Sequence, residues 1–130
     1  MEINPDDFQK TVDELLIRHR SILDTLSKLQ EANGKINRAV AKSVTCCGCL
    51  RISARRQEIP PDTGFLSWKN HTETHLDGEL CERCREVLES EMGESLFYLA
   101  ALCSLLHLDL GDIIEKENKR LTTLGLFNLT

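Results

Sequence analysis

The chain has 130 residues, of which 41% are apolar and 28% charged, with a formal net charge of −5. That length suits one domain with a real core, and the composition is that of an ordinary globular protein. The acidic balance argues against a dedicated duplex-DNA binder.

The first residues, Met1-Glu2-Ile3-Asn4-Pro5-Asp6-Asp7, are acidic and lack an apolar core, so they do not read as a signal peptide. Asn4 can cap a helix and Pro5 suits a first helical turn. From Phe8 the apolar positions run Val12, Leu15, Ile22, Leu26, Leu29, Ile36 and Val40. They step by fours and threes if His19 and Asn33 fill two gaps, which is a helical stripe of heptad-like spacing. This predicts a helix over about 5–30 that runs on, or bends at Asn33-Gly34, to about residue 44. Residues 45–64 read as irregular, with a short extended piece at Leu50-Arg51-Ile52-Ser53. A Pro60-Pro61-Asp62-Thr63-Gly64 turn follows. A short helix is expected over 65–75, ended by Asp77-Gly78.

A long helix should occupy about 79–107, with the stripe Leu80, Cys84, Val87, Leu88, Met92, Leu96, Leu99, Cys103, Leu106. Asp109 is a natural N-cap for a last helix over 110–124, with Asp112 in its first turn. The apolar tail 125–130 is expected to dock on the body or on a second subunit. The longest apolar stretch, 96–110, is interrupted by Ser104, His107 and Asp109 and is too short to span a bilayer. With only three prolines and no Gly/Ser-rich linker, residues 1–130 read as a single all-α domain, and the expected address is the cytoplasm.

Charge is uneven. Residues 1–60 hold 10 Lys/Arg against 8 Asp/Glu, and residues 61–130 hold 6 against 13. Between Glu31 and Glu58 lie Lys35, Arg38, Lys42, Arg51, Arg55 and Arg56 with no acid among them. Such a run is either a solvated face or a surface for phosphate or nucleic acid.

The chemistry-bearing pattern is the set of cysteines. In a reducing compartment, clustered thiols favour a metal over disulfides. Cys46-x2-Cys49 and Cys81-x2-Cys84 form two pairs, and two such pairs close the tetrahedral shell that zinc prefers. Cys47 can replace Cys46, and His71 and His75, four residues apart, are further candidate ligands. Residues 45–84 are therefore expected to form a zinc-binding segment between the N-terminal and C-terminal helices. A closed zinc of this kind is structural. Cys103 falls in an apolar stripe and reads as a core residue.

Glu91 and Glu94 are three residues apart and share a helical face, where two carboxylates can hold a divalent ion. Glu91-Met-Gly-Glu-Ser-Leu-Phe-Tyr-Leu-Ala-Ala-Leu-Cys, followed by Leu108-Asp-Leu-Gly-Asp-Ile-Ile-Glu-Lys-Glu-Asn-Lys-Arg, resembles the second half of the MazG-like nucleotide pyrophosphohydrolases. Lys28-Leu-Gln-Glu-Ala-Asn-Gly-Lys-Ile resembles the first half of that family's signature, E-E-x-x-E. Residues 45–50 and 80–129 are similar to a bacterial MazG-like group.

The resemblance implies a helical bundle in which Glu31, Glu91 and Glu94 hold magnesium. It also implies that Lys28, Lys35, Asn118 and Lys119 approach a nucleotide phosphate. It further implies association as a homodimer, which the long stripe of the first helix also suits. The acids of the signature are incomplete. Ala32 and Lys35 stand where the family has carboxylates, and Glu94 where it has aspartate. The expectation is therefore a domain that binds a nucleotide, a phosphate ligand or a partner without efficient catalysis. A magnesium-dependent pyrophosphohydrolase and a zinc-stabilised helical adaptor are the two alternatives.

Overall fold

The computed structural model describes residues 2–129, with side chains described for residues 2–125. The described residues are mostly helical, with four α-helices and one small ribbon among them. These are α1 (Pro5–Leu15), α2 (Ile22–Lys42), β1 (Leu50–Ile52), β2 (Leu76–Gly78), α3 (Glu82–Leu105) and α4 (Leu110–Leu129). A π-helical turn, Ser43–Cys47, follows α2, and a 3-10 turn, Phe65–Asn70, lies between the strands.

The caps are as expected from the sequence. Asn4 Oδ1 accepts the Asp7 N–H at 2.8 Å, with Pro5 in the first turn. Asp109 Oδ1 accepts the Asp112 N–H at 2.9 Å. Both satisfy amides that a helix start leaves without partners.

The first long helix is not continuous. It breaks between Leu15 and Ile22, where His19 takes a left-handed φ of 55°. Thr25, fully buried, donates its hydroxyl to the His19 carbonyl at 2.6 Å and holds the bend. α2 then runs through Gly34 without interruption, the first of the two expected alternatives, and the break in the stripe lies at the His19 gap. The segment expected as a helix over 65–75 is a 3-10 turn followed by β2. The last helix kinks at its expected end, Leu124, where φ is −122° and ψ 15°, and a further helical stretch continues to Leu129. The docking expected of the tail concerns side chains that lie, from residue 126 on, outside the described residues.

The residues divide into two compact units: those up to 35 together with those from 90 onward, and residues 36–89. In the first, Val12, Leu16, Ala100, Ala101, Cys103 and Leu110 form the core, flanked by Phe8 and Phe97. Cys103 thus packs as an apolar core residue. Gln9 binds this core polarly, donating to Ser104 Oγ and the Leu108 carbonyl and accepting from the Leu110 N–H at 2.7 Å. In the second unit the strands pair antiparallel, with Leu50 opposite Gly78, Arg51 opposite Asp77 and Ile52 opposite Leu76.

No single helix among the described residues is long and apolar enough to cross a membrane. α3 and α4, which share the longest apolar stretch, meet at a bend of 104°.

Leu16 closes the first core just beyond the α1 C-terminus and is 5% exposed. Leu16→Ala should lower unfolding free energy by about 2–5 kcal/mol, the cost of a buried leucine cavity. Urea denaturation followed by circular dichroism measures it, and a change under about 0.5 kcal/mol, typical of surface positions, would remove Leu16 from the core.

Candidate metal centre

The ribbon is what brings the cysteines together. α2 ends in a widened turn in which the Gly48 N–H bonds the Ser43 carbonyl at 2.9 Å, five residues back. Gly48 then adopts a left-handed φ of 80° and turns the chain into β1. Across the ribbon Gly78, at φ 83°, backs directly onto Cys49. A Cβ there would lie 2.4 Å from the Cys49 carbonyl oxygen, so only glycine permits this approach. From Gly78 the chain passes through Cys81 into α3, and Cys84 sits in the first turn of that helix.

The sulfurs of Cys47, Cys49, Cys81 and Cys84 all lie within 4.8 Å of one another. Cys47 Sγ and Cys81 Sγ are 3.7 Å apart. Four thiolates at zinc–sulfur bonds of ~2.3 Å have tetrahedral edges of about 3.8 Å. The spacing therefore fits one tetrahedral ion after contraction of about 1 Å at the widest edge. The Cys84 N–H points at Cys81 Sγ at 3.4 Å, the kind of amide contact that stabilises a thiolate.

The protonation pattern fits a cation receptor. Hydrogen bonds from the Cys84 N–H and thiol, against the cost of burial, bring Cys81 down to about 7. The Ser43 hydroxyl pulls Cys84 down, but Cys81, burial, Cys49 and Cys47 together push it up to about 12. Four thiols this close cannot all ionise without a positive charge among them. A divalent ion supplies that charge and expels the remaining protons, so its affinity rises with pH.

The ligand set differs from the leading sequence spacing at one position. Cys46 is outside the cluster and Cys47 is inside it. The reason is the π-helical turn, whose i→i+5 closure carries one more residue than an α-turn and so shifts by one the thiol that faces the ribbon. Cys46 lies beside the cluster in an open groove of about 480 Å³, which is also lined by Lys42, Arg83, Cys47 and Cys84.

His71 and His75 are not in the cluster either. Their i, i+4 relation needed a helix, but the 3-10 turn stops at Asn70 and His75 has a left-handed φ of 58°. His71 borders a polar groove with Arg55, Arg56 and Glu73, while His75 Nε2 is buried without a hydrogen-bond partner.

The carboxylates are arranged differently. Lys35 Nζ lies 3.7 Å from Glu31 Oε1 and 3.6 Å from Glu94 Oε1, so Glu31 and Glu94 meet through a lysine. Lys28 Nζ binds Glu31 Oε2 at 3.1 Å and stands 5.9 Å from the Tyr98 ring centre. The Lys28 hydrogen bond and charge, with Lys35 behind them, hold Glu31 below its ordinary pKa. Glu91 takes part in none of these pairs, and its Oε2 is buried without a hydrogen-bond partner among the described residues.

Among the described residues the cysteines are the only group of three or more His, Cys, Asp or Glu side chains at metal-binding distance, so Glu31, Glu91 and Glu94 do not form such a group together. Asn118 and Lys119 are exposed on α4. Among the described residues neither side chain bonds to Lys28, Glu31, Lys35, Glu91 or Glu94. The signal that sequence reading passed over is Lys35 itself, whose i, i+4 relation to Glu31 marks an ion pair before it marks a phosphate contact.

No protein-family model matches the chain, and no curated protein or solved structure matches it at a significant level.

Single Cys→Ser changes separate the two thiol sets. Cys47→Ser, Cys49→Ser, Cys81→Ser and Cys84→Ser should each lower the metal-to-protein ratio of reduced protein, while Cys46→Ser should leave it near one. Elemental analysis of the purified variants reads this directly. Retained metal in Cys47→Ser with loss in Cys46→Ser would reverse the assignment.

Proposed function

We propose that the chain is a zinc-braced helical module that works by binding, built on a MazG-like framework that lacks magnesium-dependent hydrolysis. The observation that carries this reading is the position of Lys35. Its ammonium group lies between the Glu31 and Glu94 carboxylates, at 3.7 and 3.6 Å. A pyrophosphohydrolase needs a cation there that can bridge a triphosphate and activate water. Lysine neutralises the same two acids but offers no open coordination position. The four-thiol centre is likewise a bracing element, since a zinc held by four thiolates has no vacant site for substrate.

In this reading zinc ties the start of α3 to the end of α2, and the helical faces serve as contact surfaces. Lys28 and Lys35 are engaged with Glu31 and Glu94, which leaves Asn118 and Lys119 as the exposed polar positions for a phosphate-bearing ligand.

One observation favours the alternative of an active pyrophosphohydrolase. The buried, unpartnered Glu91 Oε2 is the sort of oxygen that a metal ion satisfies.

A single assay decides between them. Reduced, zinc-loaded protein is mixed with a panel of nucleoside triphosphates and magnesium or manganese, and pyrophosphate release is measured. The binding module should show no release above the protein-free rate. Release that disappears in Glu91→Gln would overturn this reading and establish the enzyme.

A further inference from the structure

Five thiols gather near the start of α3, but only four of them form the metal cluster. The fifth, Cys46, is exposed and lines an open groove of about 480 Å³. Two thiols of the cluster, Cys47 and Cys84, line the same groove. Its apolar lining is Ala39 and Val87, and its charged lining is Lys42 and Arg83. These two cations come from different helices, Lys42 at the end of α2 and Arg83 in the first turn of α3. Among the described residues neither makes an ion pair with a carboxylate.

Thiol–disulfide exchange needs an accessible attacking thiol, a disulfide brought to it, and a second thiol that displaces the leaving half. Cys46 supplies the first. Lys42 and Arg83 supply the second for a disulfide that carries carboxylates. Four thiolates around a divalent ion keep a net negative charge, which the same two cations offset, so an anion is not turned away from the groove. The second thiol follows from reach. Cys47 is the chain neighbour of Cys46, and neighbouring Cα atoms stand about 3.8 Å apart. An unstrained disulfide spans roughly 4.4–6.8 Å. Cys84 enters the groove from α3 and is free of that restriction.

We infer that Cys46 is a modification site for small carboxylate-bearing disulfides, and that its modification opens the metal centre. The Cys46 sulfur attacks one sulfur of the disulfide. A new S–S bond forms, the old one breaks, and the released half leaves as a thiol with the proton that Cys46 gave up. The Cys84 thiolate then attacks Cys46 Sγ, a Cys46–Cys84 disulfide forms, and the second half leaves as a thiolate that takes a proton from water. Two cysteine sulfurs are oxidised by two electrons, and one small disulfide is reduced to two thiols. The ion is left with three sulfurs and is lost. The first step stands without the four-thiol assignment of the metal, and the second rests on it.

Mass spectrometry combined with a zinc-release assay tests both steps on the full chain, reduced and zinc-loaded. The probe is oxidised glutathione, with the cationic disulfide cystamine as its counterpart of opposite charge. The first adduct should map to Cys46 and give way to a Cys46–Cys84 disulfide as zinc passes to a chromogenic chelator. Cys46→Ser should keep its zinc but release it about tenfold more slowly, since attack then falls to sulfurs bound to the ion. Lys42→Glu and Arg83→Glu should each slow the reaction with oxidised glutathione by about fivefold and quicken that with cystamine. If a reversal loses zinc, Lys42→Gln and Arg83→Gln carry the same test. A first adduct on any cluster cysteine, or release from Cys46→Ser at the unaltered rate, overturns the inference. Charge variants that leave the ratio of the two disulfide rates unchanged overturn the groove as a receptor for anions. Reduced protein that holds no zinc defeats the metal centre instead, and the adduct map on it still decides whether Cys46 is the site.

Discussion

Six strand residues cannot hold a ribbon together in water. β1 and β2 have three residues each, and isolated two-stranded hairpins are marginal even when longer. Residues 36–89 bury few side chains, chiefly Ser43, Leu50 and Leu88, so hydrophobic burial cannot supply the missing stability. What remains is the convergence of Cys47, Cys49, Cys81 and Cys84 within 4.8 Å. Closure of four thiolates on a divalent ion is worth roughly 10–16 kcal/mol in small zinc domains, and there it appears as folding energy. The turn at Gly48 and the contact of Gly78 against Cys49 are the backbone conditions for that closure.

The helical unit stands on different physics. Its core is a conventional one, in which small residues of α3 let α1 approach and Gln9 satisfies the polar groups at the start of α4. Its charged centre is self-neutralised, because Lys28 and Lys35 together occupy Glu31, and Lys35 also reaches Glu94. The Lys35–Glu94 pair joins α2 to α3.

Local chemistry was legible in the sequence, and long-range geometry was not. Asn4 and Asp109 were readable as caps because a cap bonds an amide only three residues away. Leu50–Ile52 was readable as extended, but β2 was not. Leu76–Gly78 has no alternation of its own and exists as a strand only because Gly78 can lie against Cys49. The break at 16–21 was hidden because the apolar stripe keeps its spacing across it, while the bend is fixed by Thr25 bonding back to His19. The cysteine spacing pointed to the segment in which four thiols converge. The choice of Cys47 over Cys46 depended on a π-turn that no spacing rule encodes. The basic run 35–56 read as one surface, yet Lys35 is spent on Glu31 and Glu94, and Arg55 on Glu73.

The central claim concerns atoms around one ion, and X-ray absorption at the metal edge observes those atoms. Protein purified under reducing conditions should hold one zinc per chain, with an edge fit by four sulfur neighbours at about 2.3 Å and no nitrogen or oxygen ligand. A first shell containing nitrogen or oxygen, or protein that folds with no stoichiometric metal, would contradict the account.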